Sequence, residues 1–474
     1  MRVAVVVALS GILAVGAGCG GDAPAPPQTA TIARPAAAAA ADPAIAPKLH
    51  PRRCRTSVGA GFRCATLTVA LHRRGAHIGD GRTLTLDVAV QRGRRPPRGD
   101  FLILSGGPGQ PGLPFAPRMA QRLGRAAANR RIVVVDQRGT GRNAIRCPAL
   151  QRSVGTSDVA VPSRAAVAAC ARTLGAARDA YATADTLADL DAVRRALRDA
   201  TWTIGGISYG AFVAERYALT HPRQTRALVL DSVVPQQGVE LLERVPLRAT
   251  ARVLRALDRG AGDPVANLRV VLARHPELGP ALFDAITARS IGVPRLDELP
   301  SVLRQAADGQ LAPLRMLVRT AAGEQQQVPA AFFSAGLHAA TLCADAPALW
   351  RGGPAAPAAV RDAELARLRT DMPAAQTAPW PPSTALGQGL LATCRAWPPT
   401  AAPPAPDARA TIRVPTLLLA GDRDLSTPLE WARAQARRMP HAELVVVAGA
   451  GHSILSREQR TTGRDALRRF LAAH

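Results

Sequence analysis

Apolar runs alternating with helical stretches constrain the fold of this chain most strongly. Six runs are apolar on both faces, as strands buried within a parallel sheet require. They lie at 101–105, 131–136, 201–205, 227–231, 416–420 and 444–448. Between them lie helical patterns, clearest at 186–200, where leucine and valine side chains recur every three or four residues. This alternation predicts an α/β fold, with a mainly parallel central sheet and helices on both sides.

Two further patterns refine this fold. The segments CATLTVA and TLTLDVAVQ, beginning at Cys64 and Thr83, alternate polar and apolar residues as antiparallel strands do. Between about Val234 and Arg409 strand-like runs give way to helix-like pieces and Pro-rich joints, which predicts an inserted helical cap domain. The predicted organisation is an export signal, a Pro/Ala-rich tether, the first part of the core, the cap and the second part of the core. Their ranges are 1–18, 19–50, 51–234, 235–409 and 410–474.

The N-terminus has the pattern of an export signal. One arginine, a short apolar segment and a small-residue exit precede Cys19. The segment LAVGAGC resembles a bacterial lipoprotein signal, although Gly16 stands where leucine is usual. Val15 and Ala17 would also suit ordinary signal cleavage, so lipid anchoring at Cys19 and plain secretion both remain open. The anchored form would place the protein at a membrane surface in the cell envelope.

The other six cysteines fit an exported chain, since disulfides persist in oxidising compartments. We expect three disulfides that join nearest neighbours along the chain, with buried thiols as the alternative. The pairs are Cys54 with Cys64, Cys147 with Cys170, and Cys343 with Cys394.

The net charge of +25 raises the question of nucleic-acid binding. The arginines are scattered, aromatic residues make up only 3% of the chain, and no helix-turn-helix or RNA-binding pattern occurs. We therefore predict no nucleic-acid partner, although so basic a protein could adhere to anionic envelope polymers.

The segment GISYG, which begins at Gly206, matches G-x-S-x-G between an apolar strand and a helical stretch. In this context the two glycines allow a sharp strand-to-helix turn that exposes the Ser208 hydroxyl as a nucleophile. The pattern alone is weak in a glycine-rich chain, because a serine in a small-residue turn would look the same.

Three further elements follow the order that an α/β-hydrolase requires. The glycine-rich loop 105–112 could expose backbone N–H groups to an oxyanion. Asp424 follows the penultimate strand, and His452 lies on the loop after the last one. Asp422 and Asp231 are rival acids, with a turn and loop hydrogen bonds as their alternative roles. Thr427 is expected to stabilise the loop that bears Asp424 rather than to contact substrate.

These motifs together resemble the secreted tripeptidyl aminopeptidases of actinobacteria and their prolyl iminopeptidase relatives, which are serine peptidases of the α/β-hydrolase fold. The resemblance rests on SGGPG, VDQRGTGR, GISYG, GDRDLSTP and GAGH. It implies Ser208 as nucleophile, His452 as general base and Asp424 as the acid that orients it. It also implies an oxyanion hole from the N–H groups of Tyr209 and Gly107, with Gly106 as the alternative donor. Within the VDQRGTGR signature, Arg138 is expected to brace loops.

The resulting hypothesis is a peptidase that acts on the N-terminus of peptide substrates through an acyl-enzyme, with no metal and no cofactor. Such an enzyme needs a carboxylate for the substrate amine, for which Asp345 is the candidate and Glu215 and Glu364 are weaker ones. Asp345 could instead cap a helix. The alternatives are an esterase or lipase on the same fold and a catalytically silent envelope-binding protein. The oligomeric state is not predicted.

Overall fold

The structure is a computed structural model of the 474-residue chain. It describes residues 47–73, 77–93, 98–260, 262–291, 294–401, 407 and 409–474. The predicted export signal, the anchor candidate Cys19 and the tether up to residue 46 lie outside the described residues. Within the described residues, no helix is long and apolar enough to cross a membrane.

Nine strands of the described residues form one sheet that organises the core. The strands are β1 His50–Arg52, β2 Phe62–Ala70, β3 Thr83–Gln91, β4 Asp100–Leu104, β5 Arg131–Val135, β6 Trp202–Ile207, β7 Thr225–Asp231, β8 Thr416–Gly421 and β9 Ala442–Val447. Their order in the sheet is β1-β2-β3-β5-β4-β6-β7-β8-β9. The first three strands and the β3–β5 pair are antiparallel, whereas β5, β4, β6, β7, β8 and β9 run parallel. The predicted mainly parallel sheet is confirmed.

The α-helices of the described residues fall into three groups along the chain. Those before β7 are α1 Ala116–Leu123, α2 Pro148–Val154, α3 Arg164–Leu174, α4 Thr183–Ala196 and α5 Tyr209–Thr220. Those between β7 and β8 are α6 Arg244–Leu257, α7 Pro264–Arg274, α8 Gly279–Ser290, α9 Leu299–Ala307, α10 Ala312–Gln326, α11 Ala335–Asp345, α12 Ala358–Asp371, α13 Pro382–Leu386 and α14 Gly389–Ala396. The last group is α15 Leu429–Ala436, α16 Ile454–Arg457 and α17 Thr462–Ala473.

Of the strands predicted to be buried on both faces, β4, β5, β6, β7 and β8 are largely buried. The prediction is wrong for β9, which lies at the edge of the sheet and is only partly buried, with Val446 exposed. In β4, Leu102 and Leu104 pack into one hydrophobic cluster, while Phe101 and Ile103 pack into another on the opposite face. Successive side chains alternate across a strand, so each face needs its own apolar set. Because β6, β7 and β8 run parallel, their carboxyl ends meet at one edge of the sheet, where the loops with Ser208, Asp231 and Asp424 begin.

The elements described between β7 and β8 are helical and share a hydrophobic cluster of their own with α2 and α3. Disulfides hold two parts of this region. Cys147–Cys170 joins the start of α2 to α3, and Cys343–Cys394 joins α11 to α14. The third disulfide, Cys54–Cys64, fixes the segment before β2. The predicted nearest-neighbour pairing is confirmed.

Candidate active site

Ser208 occupies a strained turn between β6 and α5. Its φ of 58° lies in the left-handed region that residues with a Cβ rarely adopt. The turn is held from behind, because Ser208 N donates to Asp231 O at 2.9 Å, across the pairing of β6 with β7. The serine stands at the N-terminus of α5 and lines a cavity at this edge of the sheet.

The two glycines of GISYG are required by close backbone approach. A Cβ on Gly206 would lie 2.1 Å from Gly210 O, and a Cβ on Gly210 would lie 2.5 Å from Leu104 O. Both contacts are with backbone atoms, which cannot move without disturbing β4 or α5. The local sequence is therefore dictated by how tightly the turn packs on the neighbouring strand.

His452 and Asp424 form a buried hydrogen-bonded pair. His452 Nδ1 lies 2.9 Å from Asp424 Oδ2, and Asp424 is fully buried. Asp424 Oδ1 accepts hydrogen bonds from Ser426 N and Thr427 N, both at 2.9 Å. The Thr427 hydroxyl donates to Asp424 Oδ2 at 2.6 Å and lies 3.0 Å from His452 Nδ1. These donors fix the carboxylate, so its orientation toward the imidazole is set before any substrate binds.

The rival acids have other partners. Asp231 accepts hydrogen bonds from Ile454 N at 2.9 Å and Leu455 N at 2.8 Å, and so it holds the start of α16 behind the His452 loop. Burial raises the pKa of Asp231 to about 6 despite these donors. Asp422 accepts a hydrogen bond from Gly449 N at 2.7 Å in a turn. Of the three candidate acids, Asp424 is the one that contacts the imidazole.

The glycine-rich loop after β4 lies against Ser208. A Cβ on Gly106 would lie 3.0 Å from Ser208 Cβ and 3.5 Å from its Oγ, so the bare backbone reaches the nucleophile directly. Gly107 adopts φ +106°, a conformation that favours glycine. The loop is held by α11, because His338 Nδ1 lies 2.9 Å from Pro108 O and Ser334 N donates to Gly109 O at 3.0 Å.

A cavity of about 250 Å³ contains these groups. Ser208, His452, Gly106, Gly107 and Tyr209 line its core side. Asp158, Glu243 and Asp284 also line the cavity, together with His338, and these three carboxylates are here called the acidic face. Among the described residues that line this cavity, Arg457 is the one guanidinium, and it stands on the core side.

On the acidic face Asp158 forms an ion pair with His338, and this carboxylate raises the pKa of the imidazole despite its burial, whereas Glu243 and Asp284 form no ion pair among the described residues. Glu243 is 5% exposed and has a left-handed φ of 46°, a strained backbone directly before α6. Burial raises its pKa well above the ordinary range, and the nearby charges of Asp158, Asp284 and Glu240 raise it further. Asp284 accepts hydrogen bonds from Ser157 Oγ at 2.6 Å and Gln325 Nε2 at 3.2 Å. A cation entering this face would relieve the repulsion among the carboxylates.

One serine joins the helical region described between β7 and β8 to the loops that bear Asp424 and His452. Ser290, at the end of α8, is fully buried. Its Oγ accepts a hydrogen bond from Leu425 N at 3.1 Å, and its carbonyl accepts one from His452 N at 3.1 Å. The positions of the Asp424 and His452 loops therefore depend on a residue far from either in sequence.

Comparison with known proteins identifies the family of this chain. Residues 101–458 match the family described as the alpha/beta hydrolase fold. The chain belongs to this family. It is 31% identical over 140 residues to a probable proline iminopeptidase of Streptomyces coelicolor, covering 30% of this chain and 34% of that protein. It is 29% identical over 195 residues to the serine protease Hip1 of Mycobacterium tuberculosis, covering 38% of this chain and 37% of the other.

The chain thus spans about a third of the length of each of these curated relatives. Among solved structures, the proline iminopeptidase of Mycobacterium smegmatis has a TM-score of 0.39 at 16% identity, with 82% of this chain and 95% of that one covered. The family match and the two curated relatives confirm the predicted resemblance to tripeptidyl aminopeptidase and prolyl iminopeptidase-like serine peptidases.

Asp345 requires a correction, because the structure places it away from the cavity lining around Ser208. Its Oδ2 accepts a hydrogen bond from Thr183 N at 2.7 Å, so it caps the N-terminus of α4. The Cys343–Cys394 disulfide does hold the helix that bears it. Of the weaker candidates, Glu215 is buried against Gln435, and Glu364 pairs with Arg367 on the surface.

Sequence reasoning missed the acidic face. Asp158 follows α2, Glu243 precedes α6 and Asp284 lies within α8, so no local motif unites them. Arg138, in contrast, braces loops as expected. It is fully buried, forms two hydrogen bonds to the Asp189 carboxylate at 2.7 and 2.8 Å, and donates to the carbonyls of Ala70, Leu71 and Ala180.

Proposed function

We propose that this hydrolase is an exported serine aminopeptidase, which releases amino acids or short peptides from the N-terminus of peptide substrates. One observation carries the proposal: the Asp424–His452 pair shares a cavity with the strained Ser208, and the buried carboxyl groups of Glu243 and Asp284 line the same cavity. In this proposal the core side supplies the groups for acyl transfer, while the acidic face supplies what a peptide ammonium needs.

The proposed chemistry proceeds in two steps. Ser208 Oγ attacks the scissile carbonyl carbon while His452 Nε2 takes the hydroxyl proton, and Asp424 holds the imidazole through Nδ1. The N–H groups of Tyr209 and of Gly107, or of Gly106 in its place, stabilise the oxyanion. Collapse of the intermediate breaks the C–N bond, and His452 returns the proton to the departing amine. Water then repeats the sequence on the acyl-enzyme and releases the carboxylic acid.

Glu243 is the proposed principal partner of the substrate amine. It is buried, its backbone is strained, and it lies among other carboxylates, an arrangement that is unfavourable until a cation arrives. Strained residues that persist near a cavity mark sites where the strain has a use. Asp158 and Asp284 add to the negative potential, and Asp345 has no such role in this proposal.

Arg457 is proposed to orient the other end of the substrate. Its guanidinium lines the core side of the cavity, and burial lowers its pKa. When the substrate amine binds at the acidic face, the carboxylate at the other end of the peptide would form an ion pair with the Arg457 guanidinium. The negative charge of the acidic face and the positive charge of Arg457 would then favour one orientation of the bound peptide, with its amine at the acidic face and its carboxylate at Arg457.

Export is part of the proposal. Three disulfides fit an oxidising compartment, and one similar protein is named as a serine protease of a mycobacterium. The N-terminal signal pattern and Cys19 would direct the chain to the cell envelope or to the medium, with or without a lipid.

A substrate series tests the proposal. Purified protein is assayed with peptide p-nitroanilides of one to four residues that carry a free amine, with the same peptides N-acetylated, and with p-nitrophenyl esters. We expect kcat/KM to be at least about tenfold higher for a free amine than for its acetylated counterpart, because a buried charge pair contributes that much. Rapid ester hydrolysis with equal rates for free and blocked peptides would contradict the aminopeptidase and favour an esterase.

A further inference from the structure

The connection between β2 and β3 gathers three side chains of metal-binding types. His72 follows the end of β2, and His77 and Asp80 precede β3. Each offers one ligand atom, and these atoms lie within 4.8 Å of one another. The three residues are not among those that line the cavity around Ser208. Local sequence spacing did not indicate a metal here, because the antiparallel pairing of β2 with β3 is what brings the two ends of the connection together.

His72 is the buried member of this cluster. Its side chain is 3% exposed, and its Nδ1 lies 2.8 Å from Asp80 Oδ2. When Nδ1 donates its proton to the carboxylate, the lone pair of the imidazole is left on Nε2. This atom is enclosed and has no hydrogen-bond partner among the described residues. A buried acceptor without a partner is unfavourable, and coordination of a cation would remove that cost.

The backbone around His72 is fixed from several directions. Leu71 N donates to Arg82 O at 2.8 Å, and Leu71 O accepts a hydrogen bond from the buried guanidinium of Arg138 at 3.2 Å. Arg73 forms an ion pair with Asp189 at 2.6 Å. A ligand held this rigidly loses little freedom when it binds an ion.

His77 and Asp80 complete the arrangement from the solvent side. The ring of His77 lies 5.3 Å from that of His72, centre to centre, and it is exposed, so it can rotate toward a shared ion. The Asp80 carboxylate also accepts a hydrogen bond from Arg82 N at 3.0 Å. A carboxylate that orients a ligating imidazole is a common feature of zinc sites.

We propose that His72, His77 and Asp80 form a binding site for a divalent transition metal of the zinc class. The two imidazoles supply nitrogen ligands, while Asp80 fixes the His72 ring and contributes negative charge. Nitrogen ligands favour zinc over calcium or magnesium, which take oxygen. The ion would fasten the β2–β3 connection beside the Arg138 brace. The site is independent of the proposed peptidase activity.

Metal titration of the full-length, tag-free protein tests this site. Zinc is titrated against a chromophoric chelator with the wild type, His77→Ala, Asp80→Ala and the control His275→Ala, which removes a half-buried histidine paired with Glu277 elsewhere. We expect one tightly bound equivalent in the wild type and in the control. Affinity should fall at least about tenfold in the two loop variants, as loss of a ligand or its orienting partner does. The zinc-dependent rise in Tm should disappear with it.

His77→Ala decides the outcome, because an exposed side chain can be removed without threatening the fold. A wild-type protein that binds no equivalent of zinc at about 100 µM, a range where a functional site would be filled, would overturn the proposal. Unchanged affinity in His77→Ala would overturn it equally. Neither result would bear on peptide hydrolysis, which is measured separately.

Discussion

The two sides of the cavity differ in how the chain builds them. The core side is assembled from loops at the carboxyl ends of adjacent parallel strands, where Ser208, Asp424 and His452 each follow their own strand. The acidic face is assembled from a loop and two helices that are brought together by tertiary packing alone. Sheet register therefore fixes the first set, whereas helix packing fixes the second. This contrast predicts that chemistry depends on the core side and substrate choice on the acidic face.

The largest expected effect comes from the nucleophile. Ser208→Ala should lower kcat by about 10⁴-fold or more on every substrate, because the acyl-enzyme cannot form. Its Tm should stay within a few degrees of the wild type. A fluorophosphonate probe should label the wild type and the control Ser301→Ala, but not Ser208→Ala. Labelling of Ser208→Ala by the probe would show that Ser208 is not the nucleophile, and the core side would then not be the site of the chemistry.

The next largest effect distinguishes the roles of Asp424 and Asp231, the two buried carboxylates of the core side. Asp424→Asn should reduce kcat by about 10³–10⁴-fold, since the amide would favour the wrong imidazole tautomer. Asp231→Asn should reduce kcat far less, because Asp231 contacts backbone N–H groups of α16 rather than the imidazole. Steady-state kinetics of both variants decide the matter, and a larger loss in Asp231→Asn would make it the orienting acid.

On the acidic face, Glu243→Gln should raise KM for free-amine peptides by about 10- to 100-fold, as loss of a buried charge pair does. N-acetylated substrates should be almost unaffected, and kcat should change little. Glu240→Gln is the matched control, because Glu240 lies three residues away and pairs with Arg244. Equal effects of the two variants would show that Glu243 contributes only to the general potential.

The pH dependence of KM gives a second test of Glu243 as the partner of the substrate amine. The pKa of Glu243 is raised by burial and by neighbouring carboxylates, so its carboxyl stays neutral to a higher pH than that of an ordinary glutamate. KM for a free-amine peptide should fall as pH rises through this raised pKa, when Glu243 gains its charge. It should rise again above pH about 8, where the peptide amine loses its proton. The acidic limb should vanish in Glu243→Gln, and its persistence there would assign it to another group.

The smallest expected effect concerns Arg457. Arg457→Gln should raise KM about three- to tenfold for tetrapeptides with a free carboxylate, and less for the corresponding amides, because a partly solvated charge pair is weak. Paired acid and amide substrates measure the difference. Equal changes for both would mean that Arg457 does not contact the carboxylate.

Much of the core could be predicted because its residues obey local rules. The strand runs are apolar on both faces, and Gly206 and Gly210 are forced by contacts below 3 Å. The acidic face could not be predicted, since Glu243 and Asp284 are distinguished only by what other helices bring near them. Asp345 shows the same limit, because a rigid aspartate near a disulfide suits a helix cap as well as an amine site. The His72 cluster could not be predicted either, because its residues come together only through the antiparallel pairing of β2 with β3.

The hydrogen bonds of Ser290 restrict how this enzyme can open. Its hydroxyl and carbonyl fasten α8 to the loops of Asp424 and His452. If the end of α8 moved away from the sheet, these hydrogen bonds would pull the Asp424 and His452 loops with it and disturb the alignment of the two side chains. If the protein acts on peptides as proposed, the substrate would have to enter without this displacement, and any movement of the helical region would leave the end of α8 in place.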